Sequence, residues 1–195
     1  MSDKNSGILA GMTKTSLEKC LSRLAKVSAG TWEVLGVTAS SGSLEDAVKQ
    51  HNFENPVASV VYFNLTGLPL TAMLILDPAD IDCISKCFMG YSFPGGPATT
   101  QAEEVMLLEL GNIILNSIVN STLNALKKSG MPSVPAYLEG DLPRLLEGLG
   151  AGAELKQNLR VITAKLAIRC DSREAVAEVL ALIPEELALG IDPAQ

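Results

Sequence analysis

QAEEVMLLELGNIILNSIVNSTLNALKKSG, from Gln101 to Gly130, is the longest uninterrupted helical pattern in the chain. At about 3.6 residues per turn, Met106, Leu107, Leu110, Ile114, Ile118, Leu123 and Leu126 build a broad apolar surface. Glu109, Asn112, Asn116 and Asn120 fall in a narrow polar band at spacings of 3, 4 and 4. Asparagine is a mediocre helix former because its amide competes for backbone partners. Three on one face, one turn behind a carboxylate, ask for a reason beyond propensity. A solvated helix face is one reading of such a stripe; a docking face carrying a reactive amide is the other.

Just upstream, YSFPGGPATT (91–100) holds two prolines and two glycines in ten residues and reads as a hinge between two halves of one domain spanning 13–183. In the first half, 1–12 read as a flexible leader and Thr13 to Ala29 as a helix stopped by Gly30. TWEVLGVTAS suggests a strand, Ser41-Gly42-Ser43 a turn, and SLEDAVKQH a short helix capped by Ser43. Val57–Asn64 and Leu70–Leu76 are β-branched apolar runs joined through Leu65-Thr66-Gly67, the pattern of a hairpin. Asp77-Pro78 opens a helix ending near Gly90.

In the second half, MPSVPAYLEG is extended, Asp141-Leu142-Pro143 opens a short helix that stops in GLGAGA, and Leu159–Ile168 is a strand. Lys156-Gln157-Asn158 fits either a hairpin turn or part of one longer strand. Ser172 predicts the cap of a final helix through Leu182, and 184–195 read as a tail. The order of parts repeats at roughly ninety residues, in half-repeats of about 13–90 and 101–183. Laying Leu24-Ala25-Lys26-Val27 over Leu110-Gly111-Asn112-Ile113 puts Arg23 and Lys26 at the places of Glu109 and Asn112. It also puts the small residues Ala25 and Gly111 where paired helices approach closely.

Composition narrows the function classes. The 195 residues are 47% hydrophobic, enough for a sizeable core. Net charge is −7 with a pI near 4.8, and no Lys/Arg run supplies the footprint of nucleic-acid binding. The N-terminus lacks an apolar core of signal-peptide length, and the polar stripe argues against a membrane span, so a cytoplasmic protein is expected. Cys83 and Cys87 lie one turn apart, but Cys20 and Cys170 belong to other elements and His51 is alone, so no metal site is expected and the thiols read as reduced and buried.

Glu109-Leu110-Gly111-Asn112 resembles the E-x-x-N signature, often E-x-G-N, of the CheC/CheX/FliY phosphatases of bacterial chemotaxis. Pro135 follows Asn112 at that signature's proline spacing, with 22 residues between. Where the family pattern has Asp or Ser four residues before the glutamate, this chain has Val105. The resemblance spans about 13–183 and implies an α+β fold with pseudo-two-fold symmetry, helices packed on a mainly antiparallel sheet. It also implies a one-site member, since Arg23 and Lys26 stand where the first half would carry its acid and amide.

The implied activity is hydrolysis of the aspartyl phosphate of a CheY-like receiver domain. Asn112 would orient the attacking water and Glu109 would pair with a receiver lysine. Asn116 and Asn120 would extend the contact, with Gly111 and Pro135 structural near the site. The resemblance implies no cofactor on this chain, a divalent metal ion (Mg) on the receiver, and a homodimer. A receiver-binding or flagellar-motor adaptor of the same fold is the alternative.

Overall fold

Apolar runs that alternate between two covered faces form the middle of a seven-stranded sheet, every pairing of which is antiparallel. The computed structural model describes residues 7–50, 56–94, 96, 98–150 and 158–191. His51, the Lys156-Gln157 part of the undecided turn, residues 1–6 of the leader and 192–195 of the tail lie outside them.

The first half runs α1 (Ile8–Leu24), β1 (Thr31–Gly42), α2 (Leu44–Lys49), β2 (Ala58–Thr66), β3 (Thr71–Leu76) and, after a 3-10 turn at Pro78–Asp80, α3 (Ile81–Met89). The second runs α4 (Gln101–Leu126), β4 (Met131–Pro132), β5 (Ala136–Gly140), α5 (Leu142–Gly150), β6 (Leu159–Cys170), β7 (Arg173–Pro184) and α6 (Glu185–Ala188). The sheet order is β1-β6-β7-β3-β2-β4, with β5 also on β2. A pseudo-two-fold axis passes between the central strands β7 and β3. It relates the hairpin β2-β3 to β6-β7.

Each central strand splits its side chains by parity. Val61, Phe63, Ala72, Leu74, Ile162, Ala164, Val179 and Ala181 join the core under α1, α3 and α4. Val60, Met73, Ile75, Val161, Leu180 and Leu182 join a second core under α2 and α5, where Leu44, Val48, Leu145 and Leu149 meet them. The long helices thus cover one face and the short ones the other, the period of two being that of a pleated strand.

Local signals hold at several boundaries. Ser43 and Asp46 form a reciprocal capping box on α2, Asp77 caps the 3-10 turn before α3, and Gly90 ends α3 in the left-handed region at φ 83°. Thr100 and Glu103 make the same box on α4, which Lys127 ends at φ 51°.

Five expectations are corrected. α1 begins at Ile8, not Thr13, because Leu9 and Ala10 are buried in the core and extend the apolar face by a turn. β1 continues through Ser41-Gly42, because both pair with β6, and the turn shrinks to Ser43. The helix expected from Ser172 to Leu182 is strand β7. Asp171 at φ 54° makes a two-residue turn that pairs Cys170 with Arg173, and both faces of the Ala/Leu/Val run are buried, which overrides its helical composition. Helix returns after Pro184 as the four-residue α6, inside the segment read as tail.

The fifth correction is the offset of the repeat. Ser16 Oγ donates to the Ser117 carbonyl at 2.7 Å and Cys20 Sγ to the Ile113 carbonyl at 3.7 Å. These contacts exchange under the pseudo-two-fold when Ser16 lies on Ile113 and Cys20 on Ser117. The same superposition lays buried Leu9, Ala10, Leu17 and Leu21 on buried Met106, Leu107, Ile114 and Ile118. Met12 and Thr15, not Arg23 and Lys26, then stand opposite Glu109 and Asn112. Ala25, the exposed C-cap of α1, is no counterpart of buried Gly111.

α4 has the length and composition to cross a bilayer, with a mean hydropathy of 1.2, so its polar stripe does not by itself exclude a span. Its apolar side is instead packed in the core, where Leu107, Leu110, Ile114 and Leu115 are fully buried.

Candidate functional site

Gly111 sets the height of α4 over the sheet. A Cβ there would collide with the Val61 side chain of β2, so glycine lets the helix backbone press on the strand. The close approach is thus between helix and sheet, not between paired helices. With its underside clamped by Leu110, Gly111 and Ile114, the helix turns Glu109 and Asn112 outward; Glu109 is exposed and Asn112 half-buried.

Both line an open cleft of about 840 Å³. Its walls are Phe88 and Met89 at the end of α3, Phe93 in the connection to α4, Val105 on the first turns of α4, and Val134 and Pro135 ahead of β5. Glu109 is the one charged side chain lining it among the described residues. Such a cleft offers one carboxylate and two amides, Asn112 and, at the start of α4, Gln101, inside an apolar collar in which Val105 is 60% and Val134 86% exposed.

Pro135 therefore borders the same cleft as Asn112 across 22 intervening residues, and the spacing noted in the sequence corresponds to proximity in space. Asn116 and Asn120 face elsewhere. They line a second groove of about 1050 Å³ between α1 and α4, together with Lys19, Arg23, Ser117 and Asn124. Asn116 bridges the two regions: its Nδ2 donates to the Asn112 carbonyl at 2.9 Å and to Asn112 Oδ1 at 2.7 Å.

A half-buried clasp, seated on buried Ser59, holds two walls of the cleft together, and the sequence carried no sign of it. Glu139 Oε2 on β5 accepts from Ser59 Oγ of β2 at 3.1 Å, from Tyr137 Oη at 2.5 Å, and from Thr99 Oγ1. Thr99 ends the segment that carries Phe93, and Tyr137 lies two residues past Pro135. Burial works to raise the Glu139 carboxyl, but the three hydroxyl donors outweigh it and hold the group below its ordinary range. Burial and the carboxylate together push the Tyr137 phenol up to about 12.

The fold likewise gathers thiols that the sequence separates. Cys87 lies within hydrogen-bonding reach of both Cys83 and Cys170, and burial is the main cause that raises its thiol. No group of three or more His, Cys, Asp or Glu side chains among the described residues is arranged to hold a metal ion.

Helices over an antiparallel sheet with internal two-fold symmetry define the CheC/CheX/FliY-like class of folds, and this chain has that fold. FliY from Thermotoga maritima superposes with a TM-score of 0.69 at 13% identity, over 98% of this chain and 95% of that one. FliM in the FliG–FliM complex of H. pylori gives 0.64 at 10%, over 92% and 94%. The CheX–CheY–BeF3–Mg+2 complex from Borrelia burgdorferi gives 0.51 at 12%, over 89% and 96%. Compared by sequence, the chain matches no family model and no curated protein.

Proposed function

We propose that this chain accelerates hydrolysis of the aspartyl phosphate on a CheY-like receiver domain. The observation that carries the reading is the pairing of Glu109 and Asn112, one helical turn apart on a rigid helix at the lip of a cleft bordered by Pro135. Support comes from the shared fold of a CheX solved with CheY, BeF3 and Mg+2.

An acyl phosphate is already activated, so the part to be supplied is an oriented in-line water. One carboxamide suffices: its oxygen accepts from the water and its NH₂ donates to oxygen at the reacting phosphoryl group. Water forms the new bond to phosphorus, and the bond from phosphorus to the aspartyl oxygen breaks. Inorganic phosphate and a free carboxylate remain, with the water's proton passing to phosphate or solvent. The receiver brings the divalent ion that neutralises phosphoryl charge. Glu109 anchors by pairing with a receiver lysine and is not a general base. The apolar collar excludes water around that pair and strengthens it.

The test is the decay of a labelled phospho-receiver with and without substoichiometric protein. Faster decay with turnover supports the phosphatase. Tight binding at an unchanged decay rate supports the second reading, a receiver-binding or flagellar-motor adaptor, which Val105 favours by putting an exposed apolar side chain at the cleft mouth.

A further inference from the structure

We infer that Asn116 is a positioning residue that decides which end of the Asn112 amide faces the reacting group; the inference rests on the phosphatase reading of Asn112. An asparagine amide rotated by half a turn about its last torsion keeps its shape and exchanges oxygen for NH₂. Only hydrogen bonding distinguishes the two states.

Here the choice is made by the main chain. The Asn112 backbone carbonyl can only accept, so the Asn116 atom 2.9 Å from it is the NH₂ nitrogen. The second hydrogen on that nitrogen points to the Asn112 side chain at 2.7 Å, so the atom it meets is the amide oxygen. Both Asn116 hydrogens are then used, and both are anchored to residue 112.

Asn112 Oδ1 accepts one bond and keeps one lone pair for a water. With its oxygen fixed toward residue 116, the amide turns its NH₂ to the cleft, where a phosphoryl oxygen can accept from it. A carbonyl that already accepts a hydrogen bond also polarises its own N–H groups, which favours donation to an anion. The arrangement accounts for a second asparagine one turn on from the first, which helix propensity disfavours. A partner-binding role for Asn116 is not needed, since its donors turn inward along α4 and not to the cleft.

The competing explanation is a purely local bond from side chain to backbone within the helix. The two differ in what Asn116→Asp does. The new carboxylate, when charged, presents an acceptor to the Asn112 oxygen, so Asn112 turns its NH₂ toward residue 116 and its oxygen outward. When protonated, the same carboxyl regains one donor and restores the original state. The charged groups lining the groove with Asn116 are Lys19 and Arg23 of α1, while Glu109 lines the neighbouring cleft two turns back along α4. The two cations favour the charged form, so restoration is expected at the lower end of the carboxyl range.

The experiment measures single-turnover phospho-receiver decay for wild type, Asn116→Leu, Asn116→Asp and Asn112→Ala between pH 8 and pH 3, with circular dichroism verifying the fold of each at every pH. Asn116→Leu is expected to slow the saturated rate by about fivefold at every pH with half-saturation unchanged, the size of one neutral hydrogen bond. Asn116→Asp is expected to be slower than Asn116→Leu at pH 8 and to overtake it as pH falls. Wild-type rates in both Asn116 variants across the range, with Asn112→Ala inactive, would overturn the inference and leave the phosphatase standing. A parallel pH dependence of the two variants would reduce Asn116 to a structural role. Wild-type protein that does not accelerate decay at all would overturn both.

Discussion

The two long helices occupy equivalent places in a duplicated fold, pack on the same face of the sheet and share four buried apolar positions, yet they differ at the two outward positions on which the proposed function rests. α4 carries Glu109 and Asn112, and α1 carries Met12 and Thr15. A thioether accepts hydrogen bonds weakly and pairs with no lysine, and a hydroxyl with its single rotating O–H cannot hold the planar donor-and-acceptor geometry of an amide. The shared buried positions are constrained by packing, so they stay apolar, whereas Gly111, Leu115 and Val119 of the more deeply packed α4 are matched by exposed Lys14, Glu18 and Ser22. The outward sides of the helices are constrained only by what they bind, so they diverge. Under the proposed function, the contrast predicts one receiver site per chain, on α4.

The largest effect is expected from Asn112→Ala, which removes the water-orienting amide. By analogy with the loss of a single preorganised donor, the hydrolysis rate should fall by about 100-fold or more. Receiver affinity and the melting curve should stay near wild type. A variant that retains activity would move the chemistry off α4.

Glu139→Ala tests whether the walls of the cleft matter as well as its residues. Removing the acceptor leaves Ser59, Thr99 and Tyr137 without their shared partner, at about 1–3 kcal/mol. Thermal unfolding should drop by several degrees and the catalytic rate should fall with it. The same group predicts a pH dependence. Its carboxyl is depressed in the folded chain, so below the unfolded value of about 4.3 the unfolded chain binds more protons. The stabilisation is complete above that value and is lost as pH falls through the folded value. Denaturant titrations between pH 6 and pH 3 should show wild type converging on the variant.

Glu109→Lys places like charges together at the proposed anchor. Receiver binding should weaken by about tenfold at low ionic strength, and salt should shrink the difference. Equal affinities in low salt would remove Glu109 from the interface. The smallest effect belongs to the first half: Met12→Ala with Thr15→Ala should change the hydrolysis rate by less than about twofold, as for surface positions outside a site. Titration calorimetry should still count one receiver per chain. Two equivalent receivers, or an inactive but folded double variant, would show that α1 carries a working face.

Much of this was legible in the residues. The α4 pattern, the β2-β3 hairpin, the caps at Ser43 and Asp77, and the spacing from Asn112 to Pro135 are local or evenly spaced signals, and each has a counterpart in the fold. The reading of β7 as a helix failed because alanine, glutamate and leucine favour helix wherever nothing else intervenes. Here the strand is sandwiched between β6 and β3, with helices over both faces.

The residues alone show a repeated order of elements, a composition sufficient for a large core, and one helix with an acid and an amide one turn apart. Those properties follow from composition and from periods of two and 3.6 residues, which are set by local backbone geometry. The register of the duplication, the division of the asparagine stripe between two grooves, and the clasp of Ser59, Thr99, Tyr137 and Glu139 come from the folded chain. Each of these depends on contacts between residues far apart in sequence. Helical periodicity alone lets α1 slide by whole turns along α4, and the paired contacts of Ser16 and Cys20 remove that freedom.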